Sequence, residues 1–353
     1  MRFAQQAITN VAQQFTPKQF WNSRREIELA MQSAAFEAIE DARAAISLTY
    51  FEVATLAALW IFRERNVDVQ LLEVGLGGRL DAVNIIDADL SVVTSIGLDH
   101  TDWLGDSREL IAIEKAGVAR PGKPCVVADP DPPNSLISTL DALGATTFFI
   151  NREWRVVGGE MQTSSHRRYQ LPDNTGLLPA NMGAAIQALE VSGLVKVDQS
   201  LVNHLASVRL TGRLSRIQTE DFEVVLDVAH NVESVSQLVQ FLKDHPVSGK
   251  TAAVFGVMGD KPIHDMLILC ESAFDEWHLI DLCHVSRAMS TDRLTEFLKP
   301  MGAPIHQGAF ADLWQSLMTR VTTGDRVVVF GSFFSVGEAT PYLVAHYHDG
   351  EQN

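Results

Sequence analysis

Four short runs in the second half of the chain, Glu223–Val228, Ala252–Val257, Trp277–Asp281 and Arg326–Phe330, are rich in apolar residues. A strand that hides both of its faces must lie in a sheet covered by helices on each side. Helical periodicity fills the gaps between these runs, at about 233–243, 262–273, 290–299, 309–320 and 335–346. That alternation predicts a doubly wound α/β domain. Upstream, Leu90–Leu98 is again nearly all apolar and Val67–Val74 reads as a strand beside it. Helices are expected over Glu26–Ala45, Thr55–Arg65 and Ser107–Val118, the last opened by Asp106-x-x-Glu109 as in a capping box. Strands near Cys125–Ala128 and Thr147–Ile150 complete a first α/β half. Residues 151–178 carry Gly158-Gly159 between alternating patterns and predict a hairpin excursion; Leu177–Ala206 predicts a helix. The expected division is therefore 1–209 and 210–353.

Composition narrows the function. Lys and Arg number 28 against 44 Asp and Glu, a net charge of −16, which argues against non-specific nucleic-acid binding and against docking on anionic membranes. An anionic small molecule can still bind, because a helix N-terminus or a single Arg acts locally. The three cysteines, Cys125, Cys270 and Cys283, have no CxxC spacing, so a reducing compartment is expected and neither a disulfide framework nor a structural zinc site is. No run is long enough to span a bilayer, and MRFAQQAITN has no apolar secretory segment. A cytoplasmic, monomeric protein is the expectation.

Ligands of open α/β sheets sit beyond the carboxyl ends of strands. Three expected strand ends carry unusual residues: Glu73-Val-Gly75-Leu-Gly77-Gly78-Arg79-Leu80-Asp81, Asp99-His100-Thr101-Asp102, and Asp227-Val-Ala-His230-Asn231. Glu73 and His100 at neighbouring strand ends would suit a divalent metal. Each also has an ordinary use, Glu73 capping a turn and His100 capping the next helix. Lys115 in the last turn of its helix reads as a complement to the helix dipole, Asn181 as a helix cap, and Arg213 as an anion contact or a surface charge. The Gly75-x-Gly77-x-x-Leu80 loop lacks the third glycine of a dinucleotide fingerprint. Two segments imitate a phosphate loop. In Gly117-x4-Gly122-Lys123, Pro124 replaces the magnesium-holding hydroxyl, and before Gly249-Lys250-Thr251, Asp244 replaces the first glycine.

Seven motifs in register turn these fragments into a resemblance. LTYFE at 48–52, EVGLGGRLDAVN at 73–84, TSIGLDHTDWLG at 94–105, EKAG at 114–117, TGRL at 211–214, DVAHN at 227–231 and GSF at 331–333 resemble the folylpolyglutamate synthase/dihydrofolate synthase family of the Mur ligases. The resemblance covers about residues 30 to 347. It implies two α/β domains of Mur-ligase type and ATP-dependent amide formation: a dihydropteroate or folate carboxylate becomes an acyl phosphate, which the amine of L-glutamate attacks. It further implies ATP and Mg2+ as cofactors. Glu73 and His100 match magnesium ligands, and Lys115 a carbamylated lysine beside them. Asn181, Arg213 and Asp227 match ATP contacts, while His230 would lie near the transferred phosphate. Thr49, Tyr50, Phe51, Glu52 and Leu80 match the pterin-substrate site. The family also opens with a strand, a GTNGKGS-type phosphate loop and an SSPH segment. Residues 1–25 do not match these, so a first domain without its opening strand is expected. Two readings follow: a ligase whose sequence starts late, or a non-catalytic relative keeping a pterin pocket or an interaction surface.

Overall fold

A computed structural model describes residues 21–173, 176–208, 210 and 212–347. They fall into two compact units: one reaches to Ile96 and resumes over His100–Phe148, and the other joins Gly97–Asp99 to Phe149 and beyond.

In the first unit, helix α1 (Trp21–Arg43) packs on α2 (Tyr50–Arg65) through buried Ala35, Ile39 and Ala57. Thr49 opens α2 with a capping box closed by Glu52, and Asn66 ends it in the left-handed conformation. A three-stranded sheet follows, ordered β1 (Ser91–Val93), β2 (Pro124–Val127), β3 (Thr146–Phe149), with β1 parallel to β2 and with short α3 (Thr101–Leu104), α4 (Arg108–Ala116) and α5 (Asn134–Leu143) in its connections. The cap of α4 is Ser107, accepting from the Leu110 N–H, rather than Asp106.

The expected strand over 67–74 is absent. The segment runs without regular structure and pairs with no strand among the described residues, leaving Val69 57 % and Leu71 82 % exposed. A strand exists only where a neighbour satisfies its backbone groups, and the apolar sequence cannot supply that neighbour by itself. Leu90–Leu98 likewise contracts to Ser91–Val93, because the Ile96 N–H is taken by the Asp129 carboxylate at 2.7 Å. The site geometry built on two adjacent strand ends is corrected accordingly: Glu73 and His100 stand on loops.

The second unit begins with the antiparallel meander β4 (Arg155–Val157), β5 (Glu160–Gln162), β6 (Arg168–Gln170). The expected helix over 177–206 divides at Gly193, whose φ of +66° ends α6 (Pro179–Ser192) before α7 (Gln199–Asn203). A six-stranded sheet then forms from β7 (Ser215–Gln218), β8 (Glu223–Leu226), β9 (Thr251–Phe255), β10 (Glu276–Ile280), β11 (Ile305–Gly308) and β12 (Arg326–Phe330). Their order is β11-β10-β9-β12-β8-β7, with β7 alone antiparallel. Helices α8 (Val232–Asp244), α9 (Ile263–Cys270) and α10 (Thr291–Leu298) cover the face carrying Phe255, Trp277 and Phe330. Helices α11 (Phe310–Met318) and α12 (Phe333–Tyr347) cover the face of Val254, Ile280 and Val329. Both faces are thus dry, as the apolar runs demand.

Candidate active site

In the first unit the glycine loop is locked from two sides. Asp81 accepts the N–H groups of Gly75 and Leu76 at 2.9 Å each and that of Val83 at 3.0 Å, folding the loop back on itself. The same loop seats on the C-terminal end of α4. A Cβ on Gly78 would come 2.6 Å from the Glu114 carbonyl oxygen, and one on Gly117 2.4 Å from the Arg79 Cβ. Gly77, at φ +70°, presses on Leu104 of α3. Packing this close explains why EVGLGGR and EKAG both need glycine. The loop that follows Glu73 is wedged against α3, which His100 opens, and against the helix end that bears Lys115. His100 itself is left-handed at φ +53° and makes no capping bond with its side chain, so the ordinary capping role does not apply. Such backbone strain collects at functional sites.

Of the pterin-site candidates, Glu52 and Leu80 line one cavity of about 400 Å3, together with Leu48, Thr55, Arg79 and Ile85 among others. Glu52 lies in it with its carboxyl held below the usual range by the Thr49 backbone N–H and hydroxyl. Phe51 covers Gly75, where any Cβ would meet its ring at 2.7 Å. Tyr50 is exposed at the start of α2.

In the second unit the chain leaves β8 into α8 on one face and leaves β12 into α12 on the other. Adjacent strands whose exits diverge open a crevice at their carboxyl ends, the usual ligand position in such sheets. DVAHN follows β8 and GSF follows β12, so both motifs stand there. Asp227, only 7 % exposed, accepts from the N–H groups of Leu214 at 2.8 Å and Ala229 at 2.7 Å. Burial pushes its carboxyl up to about 6; the two backbone bonds and the charges of Arg213 and His230 oppose the rise. The Leu214 bond ties the TGRL turn to DVAHN. The Arg213 guanidinium consequently lies 5.9 Å from the Phe333 ring centre, with the His230 ring on the same phenyl at 6.3 Å. His230 Nδ1 lies 2.6 Å from the Val228 carbonyl, which can only accept, so the proton resides on Nδ1. Nε2 faces Asp99 at 3.6 Å, and the other oxygen of Asp99 holds Lys261 Nζ at 2.8 Å.

Arg213, Asp227 and His230 are therefore brought together. Asn181 is not: it stands exposed within the first turn of α6, past the cap position, and among the described residues no hydrogen bond joins it to that group. Three participants escaped the sequence reading. Lys261 sits in a loop with no motif signal. Ser332 caps α12, accepting from the Ser335 N–H at 3.0 Å, and Ser335 reaches the Gly256 carbonyl at 2.6 Å; the GSF wording was the available signal for that pair.

Comparison with known proteins identifies the family. Residues 212–333 match the Mur ligase, glutamate ligase domain. The dihydrofolate synthase/folylpolyglutamate synthase of Escherichia coli is 37 % identical over 330 residues, covering 93 % of this chain and 77 % of the relative. Its Haemophilus influenzae counterpart is 34 % identical over 316 residues, covering 83 % and 72 %. Among solved structures, E. coli FolC in complex with DHPP and ADP superposes with a TM-score of 0.83 at 37 % identity, covering 89 % of this chain and 76 % of that one. A bifunctional folylpolyglutamate synthase/dihydrofolate synthase with Mn, AMPPNP and L-glutamate bound gives 0.80 at 38 %, covering 89 % and 76 %. With the motifs in register across both units, the chain belongs to the folylpolyglutamate synthase/dihydrofolate synthase family, ATP-dependent carbon–nitrogen ligases of Mur-ligase type.

Proposed function

We propose that the chain joins L-glutamate to dihydropteroate or to a reduced folate at the expense of ATP, with domains over 1–209 and 210–353, acting as a cytoplasmic monomer that engages neither nucleic acid nor membrane. No helix among the described residues is long and apolar enough to cross a membrane. The observation that carries the reading is the convergence of TGRL, DVAHN and GSF around Asp227 and Phe333. It sets a guanidinium and an imidazole on one aromatic ring at the carboxyl edge of a parallel sheet, a suitable seat for a nucleotide's phosphates.

The residue roles follow. Arg213 is assigned to the nucleotide's anionic end, Asp227 to holding the loops that present it, and Asn181 to a further nucleotide contact. Glu52 and Leu80, with Thr49, Tyr50 and Phe51 beside them, are assigned to the pterin at the 400 Å3 cavity. Glu73 and His100 are assigned to Mg2+, and Lys115, once carbamylated, would add an oxygen donor there. Bound there, magnesium would neutralise charge developing on the transferred phosphoryl group. His230, its Nδ1 held on the Val228 carbonyl, is assigned a place near the transferred phosphate.

The test is ATP-dependent incorporation of labelled L-glutamate, run with dihydropteroate and with a reduced folate. It is done on the 353-residue chain and on a chain extended at its N-terminus by a GTNGKGS-type phosphate-loop segment. The 353 residues contain no GTNGKGS-type loop, and single charged groups in phosphoryl transfer are worth on the order of 10³ in rate. Turnover by the unextended chain is therefore expected at least about 10³-fold below that of the extended one. Inactivity of both forms, with nucleotide still bound, would favour the non-catalytic reading.

A further inference from the structure

We infer that Glu276, His278 and His306 form a binding site for a borderline divalent transition-metal ion, Zn2+ being the type. It lies on the sheet of the second unit, apart from every residue assigned above. These three side chains place one donor atom each within 4.8 Å of one another. The fold produces the arrangement. Glu276 and His278 are two apart on β10 and so share a face, and the parallel register sets His306 of β11 directly beside His278. The two rings stack at 4.9 Å. His278 Nε2 lies 3.2 Å from one Glu276 oxygen, and His306 Nε2 lies 4.0 Å from the other. Tetrahedral Zn2+ with bonds of about 2.0–2.1 Å holds its ligands roughly 3.3–3.5 Å apart. Only the half-exposed His306 arm has to close, by on the order of 1 Å.

Two observations point toward a cation here. Arg320 Nη1 lies 3.1 Å from Glu276 Oε2 and 3.3 Å from His306 Nε2. Arginine only donates, so that histidine nitrogen is the unprotonated one and its lone pair already faces the cluster. The guanidinium thus stands where a metal ion would, held by the same two donors. Second, His278 is fully buried with Nε2 turned to the Glu276 carboxylate at 3.2 Å, so a second nitrogen donor is held in place beside that of His306. A donor set with two imidazoles to one carboxylate suits Zn2+, Cu2+ or Ni2+, whereas Mg2+ prefers oxygen, which Glu73 and a carbamylated Lys115 would supply at the other site. Occupied, it would fasten edge strand β11 to β10 in place of Arg320, which lies two residues past Met318 of α11.

The experiment uses the untagged 353-residue chain carrying Cys283→Ser, with Mg2+ at saturating concentration. Zn2+ binding is measured by calorimetry and Co2+ binding by visible absorption. One equivalent of Zn2+ and the bands of nitrogen-ligated, low-coordinate Co2+ are expected. His306→Gln should lower Zn2+ affinity by on the order of 100-fold and abolish the bands, since even outer partners of ligands are worth about 10–100-fold. Arg320→Met should tighten binding by about tenfold, because it removes the competing positive charge. Both side chains are partly exposed, so the fold survives their replacement where loss of buried His278 would endanger it. Zn2+ affinity unchanged by His306→Gln, or weakened by Arg320→Met, would reduce the cluster to an ion-paired surface network and overturn the inference.

Discussion

Asp227 offers the sharpest check, because its environment fixes both a sign and a size. Its carboxyl moves from 3.8 to about 6, chiefly through burial. Each tenfold change in proton affinity is worth about 1.4 kcal/mol, so the ionised group costs the native state about 3 kcal/mol. The folded state binds the proton more tightly than the unfolded chain. Stability from this group is therefore complete below pH 3.8 and is lost as the pH rises through about 6. Asn at this position cannot ionise, and it also leaves one of the N–H groups of Leu214 and Ala229 without an acceptor, a pH-independent cost of about 1–3 kcal/mol. Other titrating groups are common to both proteins and cancel in the difference. Urea unfolding of wild type and Asp227→Asn, followed through buried Trp277 and Trp314, should show the difference moving in favour of the variant by about 1.4 kcal/mol between pH 5 and 8. Most of the remainder falls below pH 5. A difference that stays flat over that interval, or moves in favour of wild type, would refute the reasoning.

Further outcomes follow from other contacts. Glu223→Gln should destabilise the second unit by about 3–5 kcal/mol in the same assay, since Arg326, 2 % exposed, would keep its charge without a carboxylate. Gly78→Ala drives a methyl into the Glu114 carbonyl; it should cost about 1–3 kcal/mol in the first unit, and glutamate ligation by the extended chain should fall further than that loss of fold accounts for. Arg213→Ala should raise KM for ATP about 10-fold or more at unchanged melting temperature, in line with losing a hydrogen bond to a charged group.

The second unit was legible because its signal is local. A strand buried on both faces, such as Val327–Phe330, announces itself in any sequence. Strand β11 was not, since IHQG carries little apolar character, and its place comes from pairing with β10. Segment 67–74 shows the opposite error: VDVQLLEV has strand composition, and composition cannot report whether a partner exists. The split of α6 from α7 turned on Gly193 alone, a position the long apolar pattern overran. At the site, Arg213 and His230 were visible as motif residues. That Phe333 would bring them onto one ring depended on a sheet order in which β12 inserts between β8 and β9. Lys261 reaches Asp99 across 162 positions of sequence, a distance at which no periodicity speaks.

Glu223 is shared by Arg326 and Arg216, and two of these three side chains are almost wholly enclosed. Dissolved ions cannot come between the enclosed pair, whereas pairs such as Arg63–Glu64 and Arg168–Glu160 lie open to solvent. At molar salt the screening length shrinks to about 3 Å and open pairs lose most of their attraction, while the enclosed one keeps its own. Raising ionic strength therefore sorts the molecule. Helix and hairpin surfaces loosen first, and the lower rim of the six-stranded sheet, where β8 and β12 are pinned side by side, is the last place to feel the electrolyte.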